Sequence, residues 1–306
     1  MSKDIRDAFF DEVYELAVKD KNVFFISADA DAFSLKKYRE ELPDQFINVG
    51  VAEQNMALVA TGLALAGKKV FIYSITPFIA MRCFEQIKVN VCSMNLPVAI
   101  AGLGSGYSFS YDGPTHHATQ DIAVMRTLPE ITILNPCDEI TSAQAAHTCY
   151  HNAGPTYVRI DKGVYQDIYN LTDCAAGIKE VSSGSKIKIL TTGYTTHMAQ
   201  SIINELQVDI DIVDVYRLKP FNEETLVKLL QGSELIFTLE ENTPIGGLGS
   251  IVCELVVDNQ INTRVKRLAL EDRQELEFGT RQWLMSNGGL SKQVIKNVIL
   301  ETSNEL

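Results

Sequence analysis

The chain lacks a hydrophobic run long enough to cross a bilayer. Its longest apolar stretch, Met56 to Ala66, is rich in alanine and falls well short of the roughly 20 residues a membrane helix needs. It also lacks an excess of positive charge: 27 Lys and Arg stand against 39 Asp and Glu, for a formal net charge of −12. That balance argues against a nucleic-acid or anionic-membrane surface, although one local basic residue can still attract a small anion into a pocket. No CxxC pair occurs among Cys83, Cys92, Cys137, Cys149, Cys174 and Cys253, which suits reduced, mostly buried thiols in a cytoplasmic protein. Metal-ligand spacing is missing too, because His116 and His117 are adjacent and point apart on a helix or strand. Nor does a secretory signal open the chain; Met1 to Asp11 is charged and reads as a helix start.

What is present is an ordinary globular composition, 46% hydrophobic and 22% charged, over 306 residues. That length suits two domains of about 150 residues each. Helical and strand periods alternate. Phe9, Val13, Leu16 and Ala17 form a helical stripe, and Val23 to Ile26 is a short apolar strand. Helix is expected at Glu53 to Ala66, Phe78 to Asn90 and Asp138 to Cys149, with strands at Val70 to Tyr73, Val98 to Ala101, Ile131 to Leu134 and Tyr157 to Ile160. A second series of strands follows at Ile187 to Thr191, Ile210 to Val215, Leu235 to Leu239 and Val265 to Leu270. Short apolar strands alternating with helices imply an α/β protein of two doubly wound domains, mostly parallel sheets with helices on both faces. The domains are expected over 1–165 and 186–306, with an aperiodic linker over 166–185. In such sheets ligands bind at the carboxyl ends of strands, which directs attention to the loops at 27–33, 74–78, 102–117 and 161–163, and in the second domain to those at 192–196 and 240–249.

Glu53 opens a helical segment in Asn48-Val49-Gly50-Val51-Ala52-Glu53-Gln54-Asn55, where the helix dipole favours a carboxylate. On position alone, a surface glutamate is the commoner reading. The neighbouring segments add to it. Tyr73-Ser-Ile-Thr-Pro-Phe78 puts an aromatic at the tip of a loop after a strand, and Arg82 and Phe84-Glu85-Gln86-Ile87-Lys88 follow on the next helix. Gly102-Leu-Gly-Ser-Gly106 leads to Asp112-Gly-Pro-Thr-His116-His117. The glycine-rich part fails the dinucleotide fingerprint, since Tyr107 stands where the third glycine belongs.

The ordered set VGVAEQN, YSITPF with its trailing EQIK, and DGPTHH followed by LPEITILNPCDE resembles the pyrimidine-binding domain of transketolases and deoxyxylulose-phosphate synthases. Likewise ILTTGYTTHMAQ, VDVYRLKPF and LEENTPIGGLGS resemble that family's C-terminal domain, so the likeness covers nearly the whole chain. It implies a thiamine-diphosphate enzyme that transfers a two-carbon ketol unit from a ketose to an aldose. The cofactor supplies the carbon chemistry itself. By the resemblance, Glu53 hydrogen-bonds the aminopyrimidine ring nitrogen and promotes removal of the thiazolium proton. Phe78 stacks on the pyrimidine (Ile79 being the alternative), and Asp29 and Arg82 lie near the cofactor. Asp29 also reads as a helix N-cap. On the substrate side His116 donates to oxygen as charge develops, and Asp112 accepts from a sugar hydroxyl. His117 joins that set by position, although a solvent-facing or core-satisfied histidine is the commoner reading. Lys162 falls where the family keeps an arginine for substrate phosphate, which retains charge and loses the fork.

One departure from the family changes the expected assembly. Nothing resembles the GDG…N segment that holds diphosphate through Mg²⁺, so the resemblance implies a separate N-terminal-type subunit carrying it, in a heterotetramer with two copies of each chain. The loop before Asp112 also has Gly104 and Tyr107 to Tyr111 where a transketolase histidine for the sugar phosphate would fall. Rival readings are a decarboxylating synthase of the deoxyxylulose-phosphate type, a 2-oxoacid dehydrogenase β chain, disfavoured by DGPTHH, and a non-enzymatic subunit that keeps the fold.

Overall fold

A computed structural model describes residues 3–30, 35–171 and 174–305. The first domain runs α1 (Ile5–Lys19), β1 (Val23–Ser27), α2 (Leu35–Glu41), β2 (Phe46–Asn48), α3 (Glu53–Leu65) and β3 (Lys69–Ile75). It continues with a single α turn, α4 (Phe84–Gln86), between two π-helical stretches, Phe78–Arg82 and Ile87–Cys92. Then come β4 (Val98–Leu103), α5 (Asp121–Arg126), β5 (Thr132–Leu134), α6 (Glu139–His151) and β6 (Thr156–Ile160). The second domain comprises β7 (Ile178–Glu180), β8 (Ile187–Thr191), α7 (Tyr194–Leu206), β9 (Asp211–Val215), β10 (Arg217–Lys219), α8 (Glu223–Leu230), β11 (Leu235–Leu239), α9 (Leu248–Asp258), β12 (Arg264–Leu268), α10 (Arg281–Asn287) and α11 (Lys292–Ser303).

The wholly apolar strands are explained by what covers them. Along β3, Val70 and Ile72 face a cluster with Met56, Ala57 and Ala60 of α3, whereas Phe71 and Tyr73 face Phe9, Phe10 and Val13 of α1. Both faces are dry, so strict alternation of polar and apolar residues is absent. Each such side chain contributes about 1.5–3 kcal/mol by leaving water. The first cluster continues without a break into Leu190, Val213, Ile236 and Leu248 of the second domain, so the junction between the domains is itself core.

The first sheet has the order β10-β5-β6-β4-β3-β1-β2, and the second β12-β11-β8-β9-β7. All pairs are parallel except β10 on β5 and β7 on β9. Three strands depart from the sequence pattern, the first being β2, a short edge strand on β1. The stretch expected as an aperiodic linker contributes β7, an edge strand that buries only Ile178. More unexpectedly, β10 leaves the second domain and joins the edge of the first sheet, with Arg217 opposite Leu134. Register places Ser27 beside Tyr73, Ile75 beside Leu103, and Leu103 beside Ile160, so the loops after β1, β3, β4 and β6 emerge along one edge.

Candidate active site

Glu53 is the first residue of α3 and is only 2% exposed. The turn that delivers it is pinned by Asn48, whose Oδ1 accepts from the Gly50 N–H at 2.9 Å and the Asp29 N–H at 3.2 Å. Asn48 Nδ2 in turn donates to Asp29 Oδ1 at 3.2 Å. Gly50 takes φ +73°, which a residue with a side chain adopts at a cost. Arg82 Nη1 donates to Glu53 Oε2 at 2.8 Å. Among the described residues, Oε1 is met only by a long 3.4 Å contact from Ser74 Oγ. That oxygen therefore keeps acceptor capacity towards a nitrogen donor.

From Glu53 a run of contacts crosses the strand ends. The Arg82 guanidinium lies 4.3 Å from the centroid of the Phe78 ring. Phe78 meets His116 edge-on with centroids 5.0 Å apart, and His116 lies 6.1 Å from Phe109. Lys162 Nζ stands 5.7 Å over that Phe109 ring. His116 Nδ1 is hydrogen-bonded to Thr115 Oγ1 at 2.9 Å. The π-helical start at Phe78–Arg82 puts Phe78 and Arg82 together, with Arg82 on Glu53, a placement that a π-turn can produce by adding a residue to the turn.

Other sequence-predicted residues are placed differently. Asp112 is exposed on the loop that carries His116, and Gly113 beside it takes φ +78° with the Phe278 ring close above. His117 turns away into the protein, packing edge-on to Tyr107 at 4.8 Å, and burial lowers its pKa. Among the described residues Asp29, which is exposed, bonds Asn48; the segment that leads from it into the next helix lies outside them. Ile79, the alternative to Phe78, is fully buried and offers no face to a ligand. Of the loop at 27–33, residues 31–33 lie outside the described residues.

Sequence reasoning missed a buried polar network beneath this edge. Arg159, inside wholly buried β6, donates to Asp121 Oδ2 at 2.9 Å and to Asn242 Oδ1 at 3.0 Å, and Tyr157 donates to the same Asp121 oxygen at 2.7 Å. A charged residue in an otherwise apolar strand was the available signal. Arg281 at the start of α10 forks onto Asp161 and also binds Glu241. Burial pushes the Asp161 pKa up, but the Arg281 charge and its hydrogen bonds outweigh that and hold it below the ordinary value. Among the described residues no group of three or more His, Cys, Asp and Glu is arranged to hold a metal ion. No described helix is long and apolar enough to cross a membrane. Five of the six cysteines are buried.

A carboxylate with a spare acceptor oxygen, joined through an arginine to an aromatic ring and then to a histidine, has the chemistry to meet an aminopyrimidine ring with substrate beyond it. Comparisons with known proteins identify the family. The family described as "Transketolase, pyrimidine binding domain" matches residues 1–167, and "Transketolase, C-terminal domain" matches residues 176–295. The chain is 30% identical over 303 residues to one of the subunits of the apulose-4-phosphate transketolase of Phocaeicola vulgatus, spanning 97% of this chain and 96% of that one. It is 29% identical to the 1-deoxy-D-xylulose-5-phosphate synthase of Oleidesulfovibrio alaskensis, covering 96% of this chain but 48% of that protein. A solved split gene transketolase, described as an inactive β4 tetramer, superposes with a TM-score of 0.85 at 27% identity and covers 97% of both chains. The chain belongs to the transketolase family of thiamine-diphosphate-dependent transferases and carries its pyrimidine-binding and C-terminal domains.

Proposed function

We propose that this chain is the pyrimidine-side subunit of a split cytoplasmic transketolase, moving a two-carbon ketol unit from a ketose donor to an aldose acceptor. The observation that carries the reading is the buried Glu53 carboxylate, with one oxygen available and the other held by Arg82, whose guanidinium lies over the Phe78 ring. Thiamine diphosphate, when bound, supplies the nucleophilic carbon and the electron sink. Glu53 holds a proton at the aminopyrimidine ring nitrogen, and Phe78 orients that ring. The Arg82 ion pair fixes the carboxylate so that it need not reorganise during proton movement. His116 donates to substrate oxygen, Asp112 accepts from a sugar hydroxyl, and Lys162 attracts an anionic end of the substrate. His117 stands behind His116 and supports the loop.

The partner is an N-terminal-type subunit that carries the diphosphate site and most of the Mg²⁺ ligands, in a complex with two copies of each chain. Exposed apolar residues cluster around the Glu53 helix and the segment after Phe78, at Val51, Leu58, Leu65, Met81, Val89 and Met94, which supports a docking face there. The related split transketolase chain that forms an inactive β4 tetramer fits the same division of labour.

The likeness to a deoxyxylulose-phosphate synthase keeps a decarboxylating activity as the second reading. Co-purification with the partner subunit, followed by turnover of a ketose donor with aldose acceptors, decides between them. Transfer that depends on added thiamine diphosphate and Mg²⁺ supports the first reading. Pyruvate consumption with release of carbon dioxide overturns it.

A further inference from the structure

Lys162 is exposed, yet its backbone is held from both sides by groups that answer to a single residue of the second domain. Its N–H donates to Asp161 Oδ1 at 2.7 Å, and its carbonyl accepts from the Tyr165 hydroxyl at 3.2 Å. Arg281 holds both of those partners. Its Nη1 and Nη2 fork onto the two Asp161 oxygens at 3.1 and 2.8 Å, and Nη1 also reaches the Tyr165 hydroxyl at 3.4 Å. On its other side Nε donates to Glu241 Oε1 at 3.0 Å, the oxygen that accepts from the Tyr107 N–H at 3.1 Å. Gly106 packs so tightly on Glu241 that an added Cβ would run into its carboxyl carbon. One guanidinium therefore fixes the loop after β6, which bears Lys162, and the turn after β4, which leads to Phe109 and His116.

A dry cluster of one cation and two carboxylates is poor stabilisation, because the desolvation cost consumes most of the Coulomb gain. A fork that fixes two loops at once is better matched to orientation. We infer that Arg281 is a positioning residue for substrate, setting Lys162 where it meets an anionic group such as phosphate. This inference rests on the transketolase reading proposed above.

The test is a double-mutant cycle of Arg281→Lys and Lys162→Ala in the complex with its partner subunit, assayed with a phosphorylated and an unphosphorylated aldose acceptor. Arg281→Lys should raise KM for the phosphorylated acceptor about tenfold and leave KM for the other within about twofold. In the Lys162→Ala background the same change should add nothing. Asp161→Asn, which keeps the Arg281–Glu241 pair, should reproduce the effect, and it serves if Arg281→Lys does not fold by circular dichroism. Equal shifts for both acceptors, or a full Arg281→Lys penalty without Lys162, would show a merely structural role and overturn the inference. Line broadening of inorganic phosphate in ³¹P NMR reads the same point without turnover: the wild-type protein should broaden it, and Lys162→Ala, Arg281→Lys and Asp161→Asn should not. A wild-type complex that uses only unphosphorylated aldoses and leaves phosphate sharp overturns the inference and spares the transketolase reading. Absence of ketol transfer overturns that reading, and the phosphate measurement then decides the role of Arg281 alone.

Discussion

Asp214 offers a quantitative test of how the domains are joined. It lies on β9 with its carboxyl fully buried, accepting from Thr196 Oγ1 at 2.5 Å and from the Tyr169 hydroxyl at 2.8 Å. Tyr169 comes from the inter-domain segment, and its N–H binds Asp138 of the first domain at 2.7 Å, so the cluster spans the junction. Burial pushes the Asp214 pKa from 3.8 up to about 7; the two hydroxyls pull it back only in part, and the Asp138 charge adds to the rise. A carboxyl raised in the folded state binds a proton that the unfolded chain has already released. Its contribution to stability is therefore complete below about pH 4 and is lost as pH rises through about 7. Three pKa units correspond to about 4 kcal/mol. Asparagine has the shape of the protonated acid and does not ionise, so Asp214→Asn should exceed the wild type by only about 1 kcal/mol near pH 4.5 and by up to about 4 kcal/mol at pH 8. At about 2 °C per kcal/mol for a protein of this size, the Tm gap should open to roughly 8 °C. Differential scanning calorimetry from pH 4.5 to 8.5 measures it. A gap that stays constant across that range, or a variant less stable at pH 8, refutes the reasoning.

Glu53→Gln should leave the melting temperature within a few degrees and cut ketol transfer by about 100-fold or more, read in a coupled assay with the partner present. Arg159→Met removes the cation from the buried Asp121 pair and should cost about 3–5 kcal/mol, seen as a shift in the urea midpoint. Adding a side chain at Gly113 by Gly113→Ala meets both φ +78° and the Phe278 ring 2.7 Å away; it should destabilise by about 1–2 kcal/mol and raise KM for the acceptor more than KM for thiamine diphosphate.

Much of the fold was legible because buried strands declare themselves. Val98 to Ala101 and Leu235 to Leu239 are apolar on both faces, and the structure has strands there. Arg217-Leu218-Lys219 could not be read so. It is three residues long and two-thirds charged, and only its pairing with β5, far back in the chain, makes it a strand. The π-helical stretches were equally hidden, since Phe78 to Asn90 keeps a helical apolar rhythm while its hydrogen bonds shift by one residue. In the candidate site, Glu53, Phe78, Arg82, His116 and Lys162 were found through ordered motifs, and the structure brings them into one run of contacts. Arg281 and Glu241 were not found. Their meaning lies in distant partners, and a helix-start arginine looks like any other in one dimension.

The crossing of β10 into the first sheet bears on how this chain could be divided. A cut within 166–185 would follow the sequence boundary, yet it would strip β5 of its outer partner β10 and leave it paired with β6 alone. The released first domain would then carry a raw sheet edge over an opened apolar junction, a template for pairing with any other extended chain. The second domain would keep a short strand with nothing to join. The two units are distinct in pattern yet share a sheet and a core, so the boundary that looks easiest to cut in one dimension runs between parts that complete each other.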